Sequence, residues 1–244
     1  NNDGFDIKNY RDDSGALLSR PQNIQYMLQE AISYNIISSR TKGFVGRYLP
    51  PHLMMTDVAP NIYNSNICRL LPLLNSVVGK YFCNILCPSY KYETGYVGQI
   101  PLLPYNNENV EKITKSNISL SKQDWDAHET SWDFERNPLY EQFLECMEDD
   151  LQNVIPSGTT LEELSKYAVA EAMHPLTTCM NNYKDKWEVN FMRLHRNEEE
   201  LNRQFINIYG LQDELTPDVP LNEITILQQG EISIENDRIK WHDD

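Results

Sequence analysis

The feature that most constrains the fold is a long stretch of helical periodicity in the second half of the chain. After Pro175, large apolar residues recur at three- and four-residue steps almost without a break: Leu176, Met180, Tyr183, Trp187, Phe191, Leu194, Leu201, Phe205 and Ile208. The stripe predicts one helix of roughly 34 residues, about 50 Å long at 1.5 Å per residue. Gly210 follows as the expected C′ residue that ends the helix. A single stripe of this length usually packs against another helix.

Other helices are predicted before this one. An apolar stripe with Pro72 in its first turn predicts a buried helix over Leu70–Leu86. From about residue 106 the chain is expected to turn helical again. Asn137 followed by proline is an N-cap signature, and Thr160–Glu163 has the form of a capping box.

Strands are predicted on both sides of these helices. Arg40–Pro51 and short pieces within Tyr90–Pro104 have strand and turn character, and Glu223–Trp241 alternates as two short strands with a turn at Glu235–Asp237. We therefore predict an α+β fold, in which a small mixed α/β domain is followed by a long-helix region and a short terminal β segment.

The two halves of the chain carry opposite charge. Residues 1–122 contain 12 Lys or Arg and 9 Asp or Glu, whereas residues 123–244 contain 9 and 27. The net charges of +3 and −18 make up the formal charge of −15, which excludes a uniformly basic nucleic-acid binder. Because such asymmetry suggests two parts with different partners, we predict domains at 1–122 and 123–244. The alternative is that the acidic half is merely well solvated.

Cysteine and histidine usage predicts neither a disulfide framework nor a metal site. The five cysteines are scattered without a Cys-x-x-Cys pair, so we expect reduced thiols and a cytoplasmic location. Cys83 and Cys87 are expected in the core rather than as metal ligands, because no second Cys/His pair accompanies them. The five histidines do not cluster. No signal peptide or run of 18 apolar residues is present, so we expect no membrane partner.

The common catalytic signatures are absent from the sequence. There is no GxGxxG, GxxxxGK[ST], GxSxG or HExxH motif, and only 10 of the 244 residues are glycine. The carboxylates lie mostly in runs such as Glu198–Glu200, which are typical of solvated helix faces. We therefore expect no complete active site, no catalytic residue, no cofactor-binding residue and no metal ligand in this chain.

Cations are interleaved with aromatic residues and glycine turns in the first half of the chain. Such a combination suits DNA, since cations hold phosphates while Arg and Tyr can contact bases. The alternative is a set of unrelated surface cations. The candidate DNA-binding residues are Arg40, Lys42, Arg47, Arg69, Lys80, Tyr90, Lys91 and Tyr92.

Two stretches are long and distinctive enough to be compared with a family. Asn197–Pro217 is NEEELNRQFINIYGLQDELTP, and Leu73–Pro101 is LLNSVVGKYFCNILCPSYKYETGYVGQIP. Both resemble the PglX family, the adenine-specific DNA methyltransferases of BREX phage-defence systems, and related single-chain restriction-modification enzymes. Shorter similarities are RPQN at Arg20–Asn23 and KGFVGRYLP at Lys42–Pro50. The resemblance covers about residues 20–230.

The resemblance implies a role in DNA recognition without catalysis. The family holds the flipped adenine with an NPPY-type motif and S-adenosylmethionine with a glycine-rich loop, and this chain has neither; its only Pro-Pro is Pro50–Pro51. It thus resembles a piece C-terminal to the methylase domain: a target-recognition-like α/β domain at 1–122 and an acidic helical spacer at 123–244. The full-length protein would bind double-stranded DNA and S-adenosylmethionine, and other defence-system proteins are possible partners.

Three rival interpretations stay open. The acidic half could be a protein–protein interaction module of the same defence complex, with no direct DNA contact. The full protein could be a restriction-modification enzyme that also cuts DNA. The chain could also be a helical domain with no role in DNA binding, in which case its cations should scatter around the surface.

Overall fold

The computed structural model describes residues 4–19, 23–38, 43–64, 66–89, 91–144 and 173–242. Its helices are α1 (Phe5–Asn9), α2 (Ile67–Asn75), α3 (Val77–Leu86), α4 (Thr94–Val97), α5 (Glu108–Asp126), α6 (described over 138–144) and α7 (Met173–Tyr209). Its strands are β1 (Ala31–Tyr34), β2 (Gly46–Leu49), β3 (Asn61–Ile62), β4 (Ile232–Glu235) and β5 (Arg238–Trp241). The predicted α+β class is confirmed. The capping box predicted at Thr160–Glu163 lies outside the described residues.

The chain forms two compact units whose sequences interleave. One unit comprises Asn1–Ser116 with Glu198–Asp218, and the other comprises Asn117–Asn197 with Val219–Asp244. Both α5 and α7 therefore contribute residues to each unit. The functional division that we predict at residue 122 stays a prediction.

The first unit contains a three-stranded antiparallel sheet with the order β2-β1-β3. Ala31 pairs with Leu49 and Ser33 with Arg47 on one side of β1, while Ser33 pairs with Asn61 on the other. All four residues of β1 are buried, as expected for a central strand covered on both faces. The strand predicted within Arg40–Pro51 is confirmed by β2.

The single helix predicted over Leu70–Leu86 is instead two helices. Ser76 has extended backbone geometry between α2 and α3, and its hydroxyl accepts a hydrogen bond from Gly79 N at 3.2 Å as the N-cap of α3. Pro72 lies within α2. The apolar periodicity continues through Ser76 because both helices bury one face, so the sequence pattern did not reveal the break.

The extended pieces predicted between Tyr90 and Pro104 are only partly present. Lys91 forms an isolated antiparallel bridge with Ile37, but Thr94–Val97 is a short helix. Tyr96 N and Val97 N both donate to the Glu93 carbonyl, so local hydrogen bonds replace the ladder of a strand there.

The C-terminal end of α7 forms the core of the first unit with α2, α3 and α5. The buried members of this core are Leu73, Val78, Val110, Leu201, Phe205 and Ile206. Asn202 is 4% exposed; its Oδ1 accepts from Val77 N at 3.0 Å, and its Nδ2 donates to the Pro217 carbonyl at 3.1 Å. Gly210 has φ of +67°, which confirms it as the left-handed residue that ends α7.

The second unit is built around the middle of α7 and the C-terminal hairpin. Trp187, Phe191 and Leu194 pack with Leu120, Ile224, Ile226, Leu227 and Ile232. The hairpin predicted near residue 235 is confirmed: β4 pairs with β5, and Asn236 and Asp237 have φ of 52° and 56°, as in a type I′ turn. Of the predicted stripe, Met180 is an exception because it is 38% exposed.

The cysteines follow the prediction in part. Cys83 and Cys87 are buried free thiols, which confirms them as core residues, and Cys68 is also free. Burial raises the pKa of Cys83 to about 12, so this thiol stays protonated at neutral pH. Cys179 is disulfide-bonded, contrary to the expectation that every cysteine is reduced.

Candidate nucleic-acid interface

Three of the predicted DNA-binding residues lie outside the described part of the structure. Arg40 and Lys42 belong to the segment between β1 and β2, and Tyr90 precedes the bridge residue Lys91. Their role in DNA binding stays a prediction.

The Arg69 guanidinium is engaged by partners within its own unit. Nε donates to Glu111 Oε1 at 2.7 Å, Nη1 to the Tyr105 carbonyl at 3.2 Å and Nη2 to Asn106 Oδ1 at 2.8 Å. The hydrogen bond from Arg69 lowers the pKa of the Glu111 carboxyl. These bonds join α2 to α5, so Arg69 has a structural role whether or not it also contacts DNA.

Tyr92 lies in an aromatic cluster with Phe44 and Tyr34. It is 4% exposed, and its ring meets that of Phe44 edge-on with centroids 5.5 Å apart. Phe44 in turn packs against Tyr34 at a centroid distance of 5.0 Å. The Tyr92 ring positions the chain near β1, and a base could stack on it only if this packing opened.

Arg47 lies on the edge strand β2, with its side chain on the exposed surface. The neighbouring Gly46 is fixed to α2, because Gly46 N donates to Asn75 Oδ1 at 2.7 Å and Asn75 Nδ2 donates to the Gly46 carbonyl at 2.9 Å. Desolvation of the guanidinium lowers the pKa of Arg47, and the charge of Glu198 opposes this shift. The Arg47 side chain is therefore exposed as a whole, whereas its guanidinium is partly desolvated by neighbouring protein atoms.

Lys80 and Lys91 border the same strand pair. A methyl group at Gly43 would lie 3.7 Å from Lys80 Cγ, so the Lys80 stem runs beside the chain three residues before β2. Lys91 bridges to Ile37 beyond the end of β1. Its Nζ lies 3.0 Å from Glu93 Oε1, and both side chains are half exposed, so the pair is weak and open to competition.

Among the described residues, the structure thus brings three predicted cations to one strand pair and its connection. We call Arg47, Lys80 and Lys91 the basic edge. Ile37 and Gly43 lie on the two sides of the segment containing Arg40 and Lys42. Ile37 bridges to the backbone of Lys91, and the methyl position of Gly43 faces the stem of Lys80. Each residue of the basic edge therefore lies at or beside β1, β2 or the segment between them, and their shared role in DNA binding stays a prediction.

One feature of the first unit was not predicted from the sequence. A cleft of about 320 Å³ lies beside β3, between α2 and α4. The residues that line it include Tyr34, Asn61, Leu70, Leu74 and Val97. Within the described part of the chain, the buried Tyr34 hydroxyl and Asn61 Oδ1 have no hydrogen-bond partner. These residues come from separate elements, and no motif links them.

Among the residues that the structure describes, no group of three or more His, Cys, Asp or Glu side chains could hold a metal ion. No helix among these residues is long and apolar enough to cross a membrane.

Two curated bacterial proteins are similar to this chain. The adenine-specific methyltransferase PglX of Lacticaseibacillus casei (strain Zhang) is 29% identical over 216 residues, which are 87% of this chain and 16% of that protein. The adenine-specific methyltransferase BrxX of Escherichia coli O9:H4 (strain HS) is 30% identical over 143 residues, which are 55% of this chain and 12% of that protein. No protein-family model matches the chain.

These similarities confirm the family resemblance as distant homology. The chain spans less than a fifth of the length of each relative. The homology therefore concerns a portion of two adenine-specific methyltransferases.

Proposed function

We propose that this distant homologue of a portion of PglX and BrxX is a DNA target-recognition segment. In this proposal the methylase portion of a longer polypeptide flips and methylates an adenine, while this segment holds the surrounding duplex and contacts its bases. The observation that supports the proposal is the basic edge: Arg47, Lys80 and Lys91 lie at or beside β1, β2 and the segment between them, in a homologue of adenine-specific methyltransferases.

The basic edge is suited to phosphate contacts rather than to the whole recognition task. Lysine supplies a point charge and arginine a fork of donors, both of which bind phosphate oxygens. Arg40, Lys42 and Tyr90, which flank the described cations in the sequence, complete the proposed contact set. Base contacts by this loop-rich region would then select the site.

The distribution of charge supports this division of roles. The half of the chain with net charge −18 would repel phosphates, so we assign it the role of a helical spacer. The net charge of +3 over residues 1–122 leaves the basic edge as the favoured surface for DNA.

The chemistry of methyl transfer is assigned to the remainder of the longer polypeptide. This chain has no glycine-rich cofactor loop and no NPPY-type motif, so its residues do not fit an S-adenosylmethionine site and we derive no step through that cofactor. In this account, S-adenosylmethionine binds only in the full-length protein, which we place in the cytoplasm.

The proposal predicts that DNA binding depends on the basic edge. The double variant Arg47→Ala/Lys91→Ala should weaken binding of a mixed-sequence duplex by about tenfold or more, because each lost phosphate contact removes counterion release. The slope of log K against log salt should become shallower by about 2, at roughly 0.9 per phosphate. Fluorescence anisotropy at several salt concentrations measures both quantities.

A matched control comes from the acidic half of the chain. Lys186 and Arg193 are exposed cations on α7, and Lys186→Ala/Arg193→Ala changes the net charge by the same amount. This control should leave the salt slope nearly unchanged. Equal effects of the two double variants, or no effect of either, would show that the basic edge does not bind DNA.

A second candidate function is supported by large apolar side chains that are exposed in the acidic half of the chain. Trp132 is 88% exposed and Trp125 is 51% exposed, and Val189 on α7 is 63% exposed. Large apolar side chains on an acidic surface are typical of a protein–protein interface. In this alternative the chain binds another protein of the defence complex without touching DNA, and Trp132→Ser would release that protein while Arg47→Ala/Lys91→Ala would not.

A further inference from the structure

Ile37 is a large aliphatic side chain that is exposed directly beside a cation of the basic edge. It is 67% exposed, and its backbone forms an antiparallel bridge with Lys91. Directly opposed residues in antiparallel pairing project to the same face, with their Cβ atoms about 4.5–5.5 Å apart. The side chains of Ile37 and Lys91 therefore lie next to each other on one face.

The residue after Lys91 shows that this face is the outer one. Tyr92 is 4% exposed, and its ring packs edge-on against that of Phe44. Because successive side chains of an extended segment point to opposite sides, the burial of Tyr92 places Lys91 on the solvent side. The Lys91 side chain is 51% exposed, which agrees with this placement. The Ile37–Lys91 pair is thus accessible to a partner.

The backbone next to Ile37 is held by two other segments of the first unit. Ile36 N donates to the Val58 carbonyl at 3.1 Å, and the Ile36 carbonyl accepts from Tyr92 N at 2.7 Å. The Ile37 side chain is also β-branched, which restricts its χ1 angle. Ile37 is therefore presented in a restricted position, and this lowers the entropy cost of a contact with a partner.

Exposure alone does not assign a role to Ile37, because single apolar residues are common on protein surfaces. Its position beside Lys91 is the second observation: in the proposed function Lys91 binds a phosphate, and Ile37 then lies next to the duplex. The C5 methyl group of thymine is the apolar group that base edges present in the major groove. The other groups on those edges are hydrogen-bond donors and acceptors, which an aliphatic side chain cannot pair.

We propose that Ile37 contacts the C5 methyl group of a thymine while Lys91 binds a phosphate of the same duplex. This inference rests on the proposed function and names one residue that selects the base sequence. The charge of Lys91 acts on any sequence, whereas the apolar contact of Ile37 distinguishes thymine from bases without the methyl group. Glu93, whose Oε1 lies 3.0 Å from Lys91 Nζ, is the group that the phosphate displaces.

Two duplexes separate the methyl contact from the other interactions with DNA. One is an alternating adenine–thymine duplex, and the other has uracil in place of every thymine, so the charge and the base-pairing groups are the same. The 244-residue chain should bind the thymine duplex about fourfold more tightly, which is the fold-change for burying one methyl group. Fluorescence anisotropy at one salt concentration measures both affinities.

Variants of Ile37 assign the preference to this side chain. Ile37→Ala should bind both duplexes equally, whereas Ile37→Val, which keeps a branched aliphatic group, should retain a preference for thymine. Val189→Ala is the matched control, because Val189 is 63% exposed on α7 in the acidic half, and it should keep the full preference. The melting temperature of each variant shows that it is folded.

The salt dependence separates the apolar contact from the phosphate contact. Ile37→Ala removes no charge, so the slope of log K against log salt should not change. Lys91→Ala should show the reverse pattern, with a slope that is shallower by about 1 and an intact preference for thymine.

The inference is overturned if the native chain binds the thymine and uracil duplexes equally, or if Ile37→Ala keeps the preference. Either result leaves the proposed function standing when both duplexes bind and Arg47→Ala/Lys91→Ala weakens that binding. If the native chain binds neither duplex, the inference and the proposed function both fail.

Discussion

Gly79 shows how one residue fixes the path of the chain between two helices. A methyl group on its Cα would lie 2.3 Å from the Leu73 carbonyl oxygen and 2.6 Å from that of Leu74. Both atoms are backbone at the end of α2, so neither can move aside as a flexible side chain would. The close approach of α3 to α2 therefore requires glycine at this position.

The first prediction concerns this close approach. Gly79→Ala should lower the free energy of unfolding by about 2–3 kcal/mol, because the added methyl group forces the two helices apart. Gly95→Ala is the control: no heavy atom lies within 4 Å of the methyl position there, and alanine favours the helix, so stability should hold or rise by up to about 1 kcal/mol. Urea denaturation compares the two, and equal losses would contradict the account.

His128 gives the second unit a dependence on pH. Its Nε2 bonds to Glu231 Oε1, and its Nδ1 lies 2.7 Å from the Asp124 carbonyl oxygen. Desolvation lowers the pKa of His128, but the bonds to Glu231 and Asp124 outweigh it and raise the pKa above its ordinary 6.5. Burial raises the pKa of the neighbouring Asp124 carboxyl from its ordinary 3.8, and its Oδ1 accepts from Leu227 N at 2.8 Å.

The second prediction follows from the sign of the His128 shift. A raised pKa in the folded state stabilises the fold fully below pH 6.5, and this stabilisation is lost as the pH rises through the folded value. His128→Gln should remove this pH-dependent contribution to stability over that window. The raised pKa of Asp124 acts in the same direction: its contribution is full below pH 3.8 and is lost as the pH rises through the folded value. Urea midpoints measured from about pH 5 to pH 9 should slope downward in the native chain and be flatter in the variant; parallel curves would contradict the assignment.

The break between α2 and α3 depends on Ser76. Its hydroxyl donates to the Leu73 carbonyl at 2.7 Å and accepts from Gly79 N at 3.2 Å, so one side chain ends α2 and caps α3. The third prediction is that Ser76→Ala lowers the free energy of unfolding by about 1–2 kcal/mol, the usual cost of a lost N-cap. Ser119→Ala, at an exposed position within α5, should be neutral or slightly stabilising. Thermal denaturation of both variants checks the difference, and a neutral Ser76→Ala would refute the capping role.

Elements were predictable from the sequence where one local rule was sufficient. The α7 stripe, the Gly210 stop and the Asn236–Asp237 turn each follow from period or backbone preference, and all are present. Asn137 caps α6 as predicted, with its Oδ1 accepting from Leu139 N at 2.8 Å. The α2–α3 break was missed because the apolar period continues through Ser76, whose local hydrogen bonds to Leu73 and Gly79 make the break.

The candidate site was predictable to a smaller extent. The sequence selected cations without distinguishing Arg69, whose guanidinium is bound by Glu111, Tyr105 and Asn106, from Arg47 on the surface. It selected Tyr92 for its aromatic ring without showing that the ring is buried against Phe44. Those distinctions arise from packing between segments far apart in the chain.

The first unit contains residues from both halves of the chain. Leu201, Phe205 and Ile206 belong to the core of the first unit although they lie beyond residue 122. The basic first half therefore depends on a segment of the acidic half for its packing. A domain-exchange experiment that tests recognition must therefore exchange the whole chain, not residues 1–122 alone.

The proposed recognition role is tested most directly by exchanging this chain for the matched 216-residue segment of Lacticaseibacillus casei PglX. Single-molecule sequencing of host DNA then identifies the adenines that the chimera methylates. We predict that the methylated sequence changes from that of the parent enzyme, and that Arg47→Ala/Lys91→Ala in the chimera reduces methylation whereas Lys186→Ala/Arg193→Ala does not. A chimera that methylates the parent sequence unchanged would contradict the claim that this segment selects the DNA target.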